Sequence, residues 1–170
     1  MIVNAPENAL TKENLMRHEL HTEITIDASP ETVWAVLVDL DRYAEWNPFV
    51  VESSGRVEVG ERLVNRLQPP GGRAMKFTPT VTEVAPGRCF EWLGRLGLPG
   101  VFDGRHRFEL VPPASGGTTL VHTERFDGLL VRPLRSSLDT RTVAGFEAMN
   151  EALKARAEAV AASASPDAIC

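Results

Sequence analysis

The sequence predicts a single α+β domain in which a seven-stranded antiparallel sheet packs against a long C-terminal helix. Turn-forming Gly and Pro residues recur from Gly55 to Gly117, and the gaps between them have the length and composition of strands. After Pro133 a period of three to four residues replaces this pattern and predicts a helix. A chain of 170 residues with 43% hydrophobic and 24% charged positions is typical of one globular core.

One strand and two short helices are predicted before this series of strands. In residues 21–27, polar and apolar side chains alternate and β-branched residues are frequent, which predicts a strand. Ser29, Pro30 and Glu31 supply an N-cap, a proline for the first helical position and an acid for the first turn, so a short helix follows. Residues 39–46 predict a second short helix that ends before Pro48, because the residue before a proline is disfavoured in helical geometry.

Six further strands are predicted, joined by short hairpins. They are expected at about 49–57, 61–68, 74–84, 88–97, 101–111 and 117–127. One long amphipathic helix follows over 133–162, with apolar positions that include Phe146, Met149 and Leu153. The predicted organisation is therefore an N-terminal arm over 1–19, one domain over 20–162 and a flexible tail over 163–170.

Charge and cysteine usage exclude several functions. The chain has 18 Lys and Arg against 23 Asp and Glu, a net charge of -5, so nucleic acid is not an expected partner. No apolar run approaches the roughly 18 residues of a membrane span, and no secretory signal is evident, so we expect a cytoplasmic protein without stable membrane insertion. Cys89 and Cys170 have no zinc-type spacing, so we expect no metal or other cofactor. Both a monomer and a homodimer remain open.

Five segments resemble one family. They are 28–34 (ASPETVW), 43–49 (YAEWNPF), 104–110 (GRHRFEL), 122–129 (HTERFDGL) and 145–150 (GFEAMN). Over residues 20–162 the chain resembles the START-like or SRPBCC superfamily, in particular its polyketide cyclase/dehydrase and lipid-transport branch. This resemblance implies a helix-grip fold, in which the sheet curls around the long helix and leaves a cavity for an apolar ligand. It says little about function, because members include lipid carriers, hormone receptors and cyclases.

Alternation in the last strands directs three polar side chains inward. His106 shares a face with Phe102, Phe108 and Leu110, and His122 shares a face with Leu120, Glu124 and Phe126. We expect the two residue numbers of each facing pair in this hairpin to add up to 228. A total of 230 would place Arg105 directly opposite Arg125, and like charges in that position repel each other. His106 then lies opposite His122, and Gly104 opposite Glu124. A three-residue loop at 98–100 places Trp92 against His106 and Gly94 against Gly104, where a notch would admit a ligand ring.

The sequence allows three interpretations of this cluster. The polar groups satisfy only one another and water, or they orient the polar end of an apolar ligand. Alternatively, His106 or His122 acts as a general base whose tautomer Glu124 fixes, in a cyclisation or dehydration. Two histidines and a glutamate also suit zinc or iron, but no helical HxxxH spacing or further ligand accompanies them. The predicted ligand-binding residues are Trp92, Gly94, Gly104, His106, Phe108, Leu120, His122, Glu124, Phe146 and Met149.

The first hypothesis for function is binding of a small hydrophobic molecule such as a lipid, isoprenoid, aromatic or polyketide. The alternative is a polyketide cyclase or dehydratase that uses His106, His122 and Glu124. A third class, a co-chaperone or partner-binding module, predicts a filled cavity and an exposed apolar patch. Asn65 and Asn150 stay undecided between the cavity and an exposed flank, and the apolar segment 127–133 is either buried or part of a cavity entrance.

Overall fold

The structure is a computed structural model that describes residues 16–113 and 116–164. Its strands are β1 (Arg17–Ile26), β2 (Val50–Ser54), β3 (Val64–Leu67), β4 (Met75–Phe77), β5 (Thr80–Ala85), β6 (Cys89–Arg95), β7 (Asp103–Val111) and β8 (Thr118–Asp127). Its helices are α1 (Pro30–Val38), α2 (Tyr43–Trp46), α3 (Val131–Ser137) and α4 (Val143–Ala164), with a 3₁₀ turn at Leu40–Arg42 and a π-helical turn at Leu138–Thr142. The predicted α+β class is confirmed.

The strands form two antiparallel sheets, not the predicted single sheet of seven. One sheet has the order β1-β8-β7-β6-β5 and the other β2-β3-β4. The predicted strand over 74–84 divides into β4 and β5 around Pro79, because a proline has no N–H to donate to a ladder. Backbone bonds from Leu63 N to Pro79 O and from Val81 N to Glu61 O, both 2.9 Å, connect the two sheets at this point.

The strand β1 begins four residues before the predicted start at 21. It pairs with β8 over its full length, from Arg17 opposite Asp127 to Ile26 opposite Thr118. The long partner explains the earlier start, and the Arg17 guanidinium contacts the Asp127 carboxylate at 3.0 Å. The predicted arm therefore overlaps β1 at its last three residues. Its first fifteen residues, like residues 165–170 of the predicted tail, lie outside the described part of the chain.

The core lies between the five-stranded sheet and the C-terminal helix. The helical segment runs from Val131 to Ala164 and is interrupted by the π-helical turn, where Thr140 Oγ1 donates to the Ser136 carbonyl at 2.8 Å. Phe146, Met149 and Leu153 are fully buried on the sheet-facing side of α4, as their spacing predicts. No helix among the described residues is long and apolar enough to cross a membrane.

Candidate functional site

The three predicted polar residues come together on the inward faces of β7 and β8. His106 is 3% exposed, His122 0% and Glu124 9%. The register between β6 and β7 is as predicted, with Trp92 opposite His106 and Gly94 opposite Gly104. These side chains therefore form one buried cluster near the middle of the sheet.

The predicted register between β7 and β8 is wrong. The residue numbers of facing pairs add up to 230, so His106 lies opposite Glu124 and Arg105 lies opposite Arg125. The two arginines tolerate this position because each has its own carboxylate. Arg105 donates to Glu91 at 3.1 Å, and Arg125 donates to Asp127 at 3.1 Å. Both guanidiniums are also partly exposed, so water screens their repulsion.

Five side chains form one chain of polar contacts, called here the buried relay: Thr22, Asn150, His122, His106 and Glu124. Asn150 Oδ1 lies 2.7 Å from His122 Nδ1, and His122 Nε2 lies 2.7 Å from His106 Nε2. His106 Nδ1 lies 3.4 Å from Glu124 Oε2. At the other end, Asn150 Nδ2 donates to Thr22 Oγ1 at 2.9 Å. The relay thus links β1, α4, β8 and β7.

The contacts of Thr22 determine where the protons of the relay lie. The Thr22 hydroxyl donates its single proton to the His122 carbonyl at 3.3 Å, so it accepts from the Asn150 amide nitrogen. Asn150 Oδ1 then accepts from His122 Nδ1–H, and His122 Nε2 accepts from His106 Nε2–H. The one ring nitrogen left with a free lone pair is His106 Nδ1, which faces Glu124. Asn150, not Glu124, therefore sets the histidine tautomers.

Burial keeps every member of the relay uncharged at neutral pH. Desolvation lowers the pKa of His106 to about 3 and raises the pKa of Glu124 to about 8. Desolvation and then the neighbouring His106 lower the pKa of His122 well below its usual value, although the hydrogen bond that His122 donates to Asn150 acts in the opposite direction. A protonated Glu124 faces the lone pair of His106 Nδ1 at 3.4 Å, so the titratable groups of the relay are neutral and its hydrogen bonds run from His106 through His122 to Asn150.

Aromatic rings surround the relay on both sides. Trp92 stacks on His106 with ring centroids 4.6 Å apart, and Phe146 stacks on His122 at 4.0 Å. Phe108 contacts both imidazoles, at 4.7 and 4.5 Å. Trp92 and Phe108 contact each other at 5.4 Å, and Phe146 also contacts His106 at 4.9 Å, so a ligand placed between these rings would have to displace one of them. This packing is what keeps water from the two histidines.

The two predicted glycines have different neighbours. A Cβ on Gly94 would lie 1.9 Å from the Phe77 ring, so Phe77 of β4 occupies the notch predicted there. A Cβ on Gly104 would lie 2.7 Å from Glu124 Oε1, so the carboxyl group lies over the bare backbone of Gly104. Gly104 thus provides the space for the Glu124 carboxyl group.

The other predicted ligand-binding residues, Leu120 and Met149, are fully buried in the core. Two cavities of about 410 Å³ each lie elsewhere, and none of the predicted site residues lines them. One is lined by Glu52, Ser53, Ser54, Val64, Asn65, Arg66 and Lys76, and the other by Arg62, Thr78, Thr80, Thr82, Leu93, Arg95 and Gly97. Among residues 16–113 and 116–164, no group of three or more His, Cys, Asp or Glu side chains is arranged to hold a metal ion.

Sequence reasoning missed Thr22 and Phe77 and left Asn150 undecided. Thr22 lies on the inward face of β1 between Leu20 and Ile24. Asn150 lies four positions after Phe146 and therefore on the same helix face. Both patterns were visible in the sequence. The position of Phe77 depends on how the two sheets meet, which local patterning does not show.

The fold and the sequence agree on a family. Residues 17–158 match the family described as polyketide cyclase/dehydrase and lipid transport. The chain belongs to this family. Among curated protein sequences, none matches the chain significantly.

Solved structures show the same fold at low sequence identity. The di-domain aromatase/cyclase StfQ from the steffimycin biosynthetic pathway has a TM-score of 0.72 and 13% identity, over 89% of this chain and 54% of that one. The Zhui aromatase/cyclase from Streptomyces sp. R1128 has a TM-score of 0.72 and 19% identity, over 88% and 99% of the two chains. Norcoclaurine synthase from Thalictrum flavum has a TM-score of 0.64 and 14% identity, over 83% and 94%. This chain therefore spans about half the length of the di-domain protein.

Proposed function

We propose that this protein binds a small, mostly apolar molecule through a carbonyl or hydroxyl group that hydrogen-bonds Glu124. Lipids, isoprenoids, aromatics and polyketides all fit this description. The observation that carries the proposal is the buried neutral carboxyl group at one end of the relay. Its side chain is 12% exposed, against 4% for His106, so Glu124 is the titratable relay member that an entering molecule meets first. A cytoplasmic location and the absence of a nucleic-acid partner remain predictions from the sequence.

The surroundings of Glu124 support an apolar ligand with one polar group. The carboxyl group lies over Gly104, and Phe126 lies next to it on the same face of β8. A neutral carboxyl group both donates and accepts a hydrogen bond, so it pairs with a carbonyl or a hydroxyl without the desolvation cost of a charge. Pockets for small molecules obtain their specificity from such isolated polar groups in apolar walls.

The test compares 1-naphthol with naphthalene, which lacks the hydroxyl group. Glu124→Leu removes the hydrogen bond while it keeps the volume, so 1-naphthol should bind about 2- to 12-fold more weakly, the equivalent of about 0.5 to 1.5 kcal/mol. Naphthalene affinity should change little. Glu109→Leu on the outer face of β7 is the matched control and should leave both affinities unchanged. Equal losses for the two compounds, or no saturable binding of either to the wild type, would contradict the proposal.

A second candidate function is dehydration of a β-hydroxy ketone, and the placement of an imidazole nitrogen and a carboxyl group 3.4 Å apart favours it, since one can act as base and the other as acid. His106 Nδ1 would take the proton next to the carbonyl, and Glu124 would protonate the leaving hydroxyl. An enone and water form, and His106 and Glu124 are left as an imidazolium and a carboxylate. The starting state is restored when the imidazolium and the carboxylate approach from 3.4 Å to hydrogen-bond distance and the proton returns to Glu124.

The two functions differ in one measurement. With 3-hydroxy-1-phenylbutan-1-one as the probe, a dehydratase forms an enone that absorbs in the near ultraviolet, and a binding protein returns the compound unchanged. In a dehydratase, Glu124→Gln should lower turnover about 10²- to 10⁴-fold and change affinity only a few-fold, because the amide keeps a hydrogen-bond donor. Enone formation that survives in Glu124→Gln would exclude Glu124 as the acid.

A further inference from the structure

One end of the molecule exposes five leucines on two adjoining segments. The β6–β7 loop carries Leu96 and Leu98, and the segment from Gly128 into α3 carries Leu129, Leu130 and Leu134. Backbone bonds from Leu129 N to Gly100 O at 3.1 Å and from Leu130 N to Val101 O at 3.0 Å hold the two segments together. We call these five residues the leucine end.

The exposure of the leucine end is large for apolar side chains. Leu98 is 74% exposed, Leu129 67% and Leu96 61%. Beneath them the segments are fixed by the buried Val131 and by the stacked rings of Phe102 and Phe126, whose centroids lie 5.3 Å apart. Grouped exposed leucines on a well-anchored surface mark an interaction site, since soluble proteins rarely leave such patches without a partner.

The charge around the leucine end differs from that of the whole protein. Between Gly128 and Thr142 the sequence has three arginines and one aspartate, while the full chain has a net charge of -5. Arg135 lies 3.9 Å from Asp139. Within the described ranges 16–113 and 116–164, Arg132 and Arg141 contact no carboxylate. The exposed leucines are therefore bordered by cationic groups on an otherwise acidic molecule.

We propose that the leucine end docks on the surface of an anionic lipid bilayer. The leucines would enter the boundary between headgroups and acyl chains, and Arg132, Arg135 and Arg141 would lie among anionic headgroups. A second copy of the chain is a poorer occupant, because a two-fold contact would place the same arginines of both copies against one another. Docking of this kind is peripheral and needs no helix that spans the bilayer.

Docking would bring the Glu124 end of the relay towards the bilayer. Along the inward face of β8, Phe126 and then Glu124 follow from the leucine end, and successive inward residues are about 7 Å apart. An apolar molecule that leaves the bilayer at this point would pass Phe126 and reach Glu124 before the two histidines of the relay. The docking itself does not depend on the proposed function, because vesicle binding needs no ligand.

The test measures co-sedimentation of the full chain with vesicles of phosphatidylcholine mixed with phosphatidylglycerol and with vesicles of phosphatidylcholine alone. The wild type should bind the mixed vesicles more tightly, and added salt should reduce the difference. Leu98→Glu/Leu129→Glu should weaken binding at least about tenfold for each leucine. Arg132→Gln/Arg141→Gln should weaken it about fivefold for each arginine, on the mixed vesicles only.

The matched control is Val59→Glu/Met75→Glu, which introduces the same charges at side chains 65% and 56% exposed elsewhere. It should bind as the wild type does, and circular dichroism should show that all variants fold. Equal binding to both kinds of vesicle, no binding to either, or an equal loss in the control would overturn the proposal. So would a wild-type dimer that Leu98→Glu/Leu129→Glu converts to a monomer without any vesicle binding.

Discussion

Replacing Glu124 by Gln should abolish a fall in stability between pH 6.5 and 8. Burial raises the pKa of Glu124 from its ordinary 4.5 to about 8 in the folded protein. Between these two values the folded state keeps a proton that the unfolded state has released, so the free energy of unfolding decreases as the pH rises. Each pKa unit corresponds to about 1.36 kcal/mol, so the loss from pH 6.5 to 8 is about 2 kcal/mol. Gln has the same shape and no proton to lose.

In the wild type and in Glu124→Gln alike, His106 and His122 determine how stability changes below pH 6.5. Their pKa values are lowered by burial, to about 3 for His106, so their contribution to stability is present above pH 6.5 and is lost as the pH falls towards 3. The wild type should therefore be most stable near pH 6.5, and Glu124→Gln should stay level up to pH 8. Urea unfolding at several pH values measures both curves, and Glu109→Gln should reproduce the wild-type decline. If the difference between wild type and Glu124→Gln is the same at pH 6.5 and 8, Glu124 is ionised in the fold and the neutral relay is wrong.

Two further substitutions test the packing around the relay. Phe146→Ala removes a fully buried ring that stacks on His122, so it should cost about 3 to 5 kcal/mol in urea unfolding, and a cost below about 1 kcal/mol would mean that this helix face is not packed on the sheet. Gly94→Ala should destabilise the wild type because its Cβ would overlap the Phe77 ring, but it should cost much less in a Phe77→Ala background, and equal costs in the two backgrounds would show that Phe77 does not cover Gly94.

The parts of the fold that follow from local patterns could be predicted. The N-cap at Ser29 accepts from Thr32 N at 3.3 Å, and alternation on β7 and β8 correctly directs His106, His122 and Glu124 inward. The division of 74–84 into two strands could also have been anticipated from Pro79. What local patterns do not show is that the two sheets meet where Phe77 covers Gly94.

The register of β7 and β8 shows why pairwise charge rules are insufficient. The sequence-based prediction rejected the observed pairing because it places Arg105 directly opposite Arg125, and like charges in that position are unfavourable. In the structure, Glu91 on the neighbouring strand β6 pairs with Arg105. The total charge interaction of Arg105 across three strands is therefore more favourable than its interaction with Arg125 alone. Charges on β7 and β8 alone therefore do not determine their register, because Glu91 of β6 also contributes.

The observed register also determines what the site can do. It places Glu124 directly opposite His106, so a neutral acid and a neutral base lie side by side with 3.4 Å between them. The predicted register would have set the acid on a diagonal and the two histidines opposite each other. In the observed arrangement His122 has both ring nitrogens engaged, by Asn150 and by His106, so it can orient the base but not act as one. Binding and dehydration therefore both depend on the Glu124 carboxyl group, and what separates them is whether the bound molecule presents an acidic C–H to His106 Nδ1.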